Sequence, residues 1–147
     1  MPHLAVTGPL MLAPMGMDKN TNQTVKAATV NQQLINWVNR SGFGRTRIVD
    51  NALVMNAAGR VRVRCGVQLT AVWSSFDSEL SVSLMHNTTV LRTAKFADTA
   101  VLTLPETQLD VRGGDQLWIR MTNAGGVFNG DAVVKAGNGT FLTSELG

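Results

Sequence analysis

The sequence is short of the residues that most often carry chemistry. Its 147 residues include one cysteine, two histidines and no tyrosine. A lone cysteine, Cys65, closes no internal disulfide, so nothing indicates an oxidised secreted scaffold. His3 and His86 stand far apart, and no Cys/His cluster has zinc-site spacing. Charged residues make up 16% of the chain, against about 25% in an average domain. That scarcity excludes a disordered charged tail, a coiled coil and a charge-laced helical spacer. The formal net charge of +3 is too mild for a nucleic-acid packaging arm, and no nucleic-acid partner is expected. The apolar stretch Leu10 to Met17 is interrupted by Pro14 and Gly16 and is too short to span a bilayer. Neither a signal peptide nor a membrane contact is expected. Sequons at Asn22, Asn39, Asn87 and Asn138 read as chance in an Asn- and Thr-rich chain.

Catalytic motifs are missing as well. There is no Gly-x-Ser-x-Gly elbow, no phosphate-binding loop before a helix and no calcium loop of Asp-x-Asp-x-Asp-Gly type. Gly42-Phe43-Gly44 reads as turn geometry. The carboxylates are scattered, and Asp50, Asp110, Asp115 and Asp131 flank loops as turn residues do. The chain is therefore read as a non-enzyme with no cofactor and no metal.

What the chain does have is a hydrophobic fraction of 44%, much Thr, Asn and Gly, and enough length for one core. It divides near residue 28. Residues 1–28 lack a period of two or of 3.6 and hold Pro2, Pro9 and Pro14, then a polar run from Asp18 to Thr24. Yet Leu4, Val6, Leu10, Met11, Leu12, Met15 and Met17 make this stretch too apolar for a solvated linker. The expectation is an extended N-terminal arm that lies on a partner through those seven residues.

Residues 29–147 read as strands. Thr29 to Val38 is a first strand or a short amphipathic helix; Asn39 to Gly44 is a loop. Arg47 to Met55 is split by the turn-prone Asp50-Asn51, and Asn56 to Gly59 turns again. Arg60 to Val72 is the clearest element: Val61, Val63, Cys65, Val67 and Leu69 face one way, and Arg60, Arg62, Arg64, Gly66 and Gln68 the other. Cys65 is thereby a small buried thiol. Further strands are expected at Glu79 to His86, Thr88 to Thr93, Thr99 to Leu104, Asp115 to Thr122, Ala132 to Lys135 and Thr140 to Leu142. His86-Asn87 and Asn138-Gly139 mark turns. About eight short strands at this spacing predict an all-β sandwich or barrel.

The guanidinium groups of Arg60, Arg62 and Arg64 repeat about 6.6 Å apart along one face. They suit a solvated face, a subunit or capsid contact with carboxylates, or a phosphate site; the few aromatics speak against the last.

Gly59-Arg60-Val61-Arg62-Val63 after a turn, the segment Leu109 to Ile119 with Gly114-Asp115-Gln116-Leu117-Trp118, and the closing Gly139-Thr140-Phe141-Leu142 resemble the jelly-roll modules of the C1q and tumour-necrosis-factor type. The resemblance covers Ile48 to Leu142. It implies a jelly roll that assembles as a homotrimer around apolar residues of one sheet. Phe96, Trp118 and Phe128, which fall beside loops or off the core set, are the candidate trimer interface. Small Thr/Asn/Gly-rich chains with an apolar arm are also similar to bacteriophage head-decoration and tail proteins. The expectation is a capsid decoration (cement) protein, made in the host cytoplasm and residing on the virion surface against the major capsid protein. The alternative is a tail-associated receptor- or glycan-binding module, which an exposed Trp73 or Trp118 in a groove would favour.

Overall fold

The computed structural model describes residues 11–74, 76, 78–125 and 130–147. These residues form fourteen strands and no helix, arranged in two antiparallel sheets of a jelly-roll sandwich. The larger sheet contains β1 (Met15–Lys19), β2 (Gln23–Val25), β4 (Trp37–Asn39), β7 (Gly59–Trp73), β13 (Ala132–Val134) and β14 (Gly137–Leu146), in the order β2-β13-β7-β14-β1-β4. β10 (Thr99–Thr103) and β11 (Thr107–Val111) also pair with β7. The smaller sheet runs β5 (Ile48–Val49), β6 (Ala52–Val54), β12 (Gln116–Asn123), β8 (Leu80–His86), β9 (Thr89–Lys95), with β3 (Thr29–Gln33) also on β12. The chain changes sheet repeatedly, so neighbours in sequence often face each other across the core.

The alternation of β7 orders the whole sandwich. Val61, Val63, Cys65, Val67 and Leu69 are all buried and meet Leu80, Val82 and Leu84 of β8 and Leu117, Ile119 and Met121 of β12 in one apolar cluster. A half-buried strand must send alternate side chains inward, and here the inward set is the apolar one. Burial pushes the Cys65 thiol up to about 12, which leaves it protonated and inert.

Three expectations need correction. The segment 1–28 read as an arm is not an arm throughout: β1 and β2 lie within it and belong to the larger sheet. Met15 and Met17 are fully buried on the inward face, so they are core residues and make no partner contact. They escape notice because the third inward residue of β1 is Lys19, also fully buried, which breaks the apolar alternation. Leu4, Val6 and Leu10 lie outside the described residues, Met11 is exposed, and Leu12 packs partly against the core. Second, Thr29 to Val38 is two strands, not one. Asn36 takes a left-handed conformation and the chain crosses from the smaller sheet to the larger. Third, Asn138-Gly139 lies inside β14, and the left-handed backbone falls one residue earlier, at Gly137.

Candidate assembly face and the opposite groove

The outward face of the larger sheet is built around two glycines. Phe141 of β14 sits opposite Gly66 of β7, and a Cβ at Gly66 would lie 2.8 Å from the Phe141 ring. A Cβ at Gly16 of β1 would lie 2.9 Å from the ring of Phe43. Each ring therefore packs directly against a glycine, where any other residue would push it away. Phe43 is placed by the loop after β4. Thr46 Oγ1 accepts the Gly16 N–H at 2.9 Å and donates to the Phe43 carbonyl at 2.8 Å, which ties the loop to β1. Arg40 spans the patch: its guanidinium lies 4.8 Å from the Phe141 ring centre and pairs with Asp18. Val38 and Val101, on the same face by register, are 42% and 51% exposed. The result is a flat patch of aromatic and aliphatic surface on a sheet.

Beside the patch runs the arginine row. Arg64 Nε bonds Glu106 at 2.8 Å, Arg62 lies 4.0 Å from the same carboxylate, and Arg60 is 3.3 Å from Asp110. The bond to Glu106 and the negative charges of Glu106 and Glu145 raise the Arg64 pKa still further. The row thus meets carboxylates of its own chain, on β11 and on the turn before it. At the other edge, the Lys19 ammonium donates to the Thr21 carbonyl at 2.9 Å, and burial pulls its pKa down to about 8.

The predicted interface residues do not gather on this face. Phe96 is buried in the core, because its backbone is tied to Leu80 O and its ring turns inward; the assignment to an interface is corrected. Phe128 lies outside the described residues. Trp118 is outward-facing as alternation predicts, but on the smaller sheet. Trp73 is buried and donates its indole N–H to Ser78 O. The pairs Gly16–Phe43 and Gly66–Phe141 join residues far apart in sequence, so no local pattern signals them.

On the smaller sheet, Trp118 lines a groove of about 310 Å³ with Gln33, Asp50, Asn87, Thr88 and Gln116. Its rim is an ordered network. His86 Nε2 lies 2.8 Å from Asp115 Oδ2, which also accepts the Arg112 N–H, and Asn87 Nδ2 donates to Asp115 Oδ1. Burial pushes the Asp115 carboxyl up, but these hydrogen bonds and the nearby His86 outweigh it and hold the pKa below the usual value. No group of three or more His, Cys, Asp or Glu side chains suited to a metal ion occurs among the described residues.

Among solved structures, the chain is similar to the Eiger TNF from S. frugiperda, with a TM-score of 0.62 and 13% identity over 92% of this chain and 93% of that one. GITRL from bushbaby aligns at a TM-score of 0.49 and 13% identity, over 89% and 91% of the two chains. No family model and no curated protein sequence matches. The likeness to the Eiger TNF establishes the fold, an all-β jelly roll of the TNF type.

Proposed function

We propose that this chain is a non-catalytic structural protein of a bacteriophage virion. In this reading it is a homotrimeric decoration protein that binds the major capsid protein and stabilises the head shell. The observation that carries the assembly part is the outward face of the larger sheet. An aromatic patch pressed onto Gly16 and Gly66, with exposed Val38 and Val101 around it, is surface that gains from cover. Three copies related by a three-fold axis reuse one such patch each and suit three-fold positions of a capsid lattice. The capsid part is supported by the charge-poor, Thr/Asn/Gly-rich composition and by Leu4, Val6 and Leu10 ahead of the sandwich in sequence.

The test is to add the purified chain to particles lacking it and image them. Density on the head, in groups of three, is the expected outcome. Density at the tail with bare heads would favour the alternative, a tail-borne binding module. No density on any particle would remove the virion reading.

A further inference from the structure

The groove on the smaller sheet lies between two hairpin tips. Asp50 belongs to the tight turn joining β5 to β6, where Asp50 and Asn51 have φ of 52° and 62°. Asn87, with φ of 53°, belongs to the turn joining β8 to β9. Asn and Asp tolerate this left-handed backbone better than other side chains, so both tips are fixed in shape. Gln116 and Trp118 stand between them on the outward side of β12.

Trp118 is locked in place. Its indole Nε1 donates to the Asn87 carbonyl at 2.9 Å. Asn87 in turn donates its backbone N–H to Gln116 O at 2.8 Å and accepts the Gln116 N–H on Oδ1 at 2.9 Å. The indole's one donor is therefore spent inside the protein, and what it offers the groove is the flat apolar ring. Around the ring, the side chains of Gln116, Thr88 and Asp50 have no hydrogen-bond partner among the described residues. Gln33 donates Nε2 to the Asp50 carbonyl, and its amide oxygen stays available.

We propose that this groove binds one ring of a neutral saccharide, with a C–H face stacked on Trp118 and hydroxyls bonded to Gln116, Thr88 and Asp50. A pyranose presents an apolar face and a rim of groups that both donate and accept. The lining matches it with one aromatic plane, a hydroxyl, a carboxylate and the amides of Gln33 and Gln116, the third amide, Asn87, being engaged within the protein. Among the described residues the one charged lining group is Asp50, which disfavours acidic sugars, phosphates and nucleic acid. One apolar residue is too little for an apolar peptide, and the volume sits at the small end for ligand sites, enough to admit a single sugar ring. The site lies on the sheet opposite the assembly patch, so it stands or falls apart from the capsid reading.

The test titrates the full chain with methyl glycosides of glucose, mannose, galactose and N-acetylglucosamine at millimolar concentration. It follows tryptophan fluorescence and the three indole N–H resonances. Trp37 and Trp73 are buried, so a saturable change confined to Trp118 is the expected signal. Trp118→Ala is expected to weaken binding at least about tenfold, Gln116→Ala about threefold, and Trp118→Phe to keep a measurable part because the ring plane survives. Should Trp118→Ala fail to fold, Gln116→Ala and Trp118→Phe decide alone. Absence of saturable binding with all four glycosides overturns the proposal. So does binding confined to uronic or sialic acids or to peptides, or binding that these variants leave unchanged. The oligomeric mass of the same variants, read in parallel, reports on the assembly face alone.

Discussion

The two sheets share one core, but their outward faces are opposites. The larger sheet turns out Phe43 and Phe141 on glycines, Val38, Val101 and a row of arginines already matched by Glu106 and Asp110. The smaller sheet turns out Ser81, Ser83, Arg120 and Thr122, with Trp118 at one end between polar hairpin tips. The pleat dictates which residues leave the core but says nothing about what they meet outside. An apolar patch beside arginines that already have partners in the chain suits another protein surface. An anchored indole bordered by a free hydroxyl and free amides suits a small polar ligand.

The largest effect is expected where the larger sheet loses β1. Deleting residues 1–24 removes β1, most of β2 and the buried Met15 and Met17. Even one buried Met→Ala costs about 2–5 kcal/mol, a large part of a typical domain's stability. The expected result is loss of the cooperative thermal transition by circular dichroism. Deleting residues 1–10 instead is expected to keep that transition and to abolish attachment to particles. Undiminished attachment of that shorter deletion would clear Leu4, Val6 and Leu10 of any partner role.

Next in size is the assembly patch. Phe141→Asp places a charge at the centre of the proposed trimer contact while leaving the inward set untouched. Light scattering at micromolar concentration is expected to show the 15.8 kDa monomer for this variant and three times that mass for the wild type. Trp118→Asp, on the other sheet, is expected to leave the trimer intact. A wild-type monomer would end the trimer reading in solution.

How much of this was legible follows from period and distance. β7 was readable because a long half-buried strand repeats every two residues without interruption. β1 was not, since Lys19 occupies an inward position and Pro and Gly surround it. Phe96 was misplaced because periodicity ends where the strand does, and a loop residue's direction is set by tertiary packing. The glycine–phenylalanine pairs join residues 16 with 43 and 66 with 141, and no local pattern encodes such pairs. Trp118 was placed outward correctly, by alternation with Leu117 and Ile119, yet alternation could not name its sheet.

Lys19 ends β1 of the larger sheet with its side chain buried. Its pKa is about 8 in the fold, below the 10.5 of a free lysine. Between those values the unfolded chain binds more protons than the folded one, so stability rises with pH across that window and the penalty is complete below about 8. Denaturant midpoints at about pH 7 and about pH 9.5 are expected to differ in that direction. Lys19→Met is expected to flatten the difference and to raise the midpoint at the lower pH. An unchanged pH dependence in the variant would show that another group titrates there.

The smallest effect is expected from the arginine row. Changing Arg60, Arg62 and Arg64 to Gln takes the formal charge from +3 to 0, which would matter greatly if the row gripped an acidic partner. The structure gives these groups partners within the chain, and the pairs are open to solvent: the Arg60 and Asp110 side chains are 52% and 80% exposed. Exposed pairs contribute little and weaken with salt. The triple variant is therefore expected to keep its fold and trimeric mass, and to occupy particles within about twofold of wild type at moderate salt. Any stability loss should shrink as ionic strength rises. A steep fall in occupancy with the fold intact would mean that Glu106 and Asp110 release the arginines on binding, and that the row, rather than the aromatic patch beside it, makes the capsid contact.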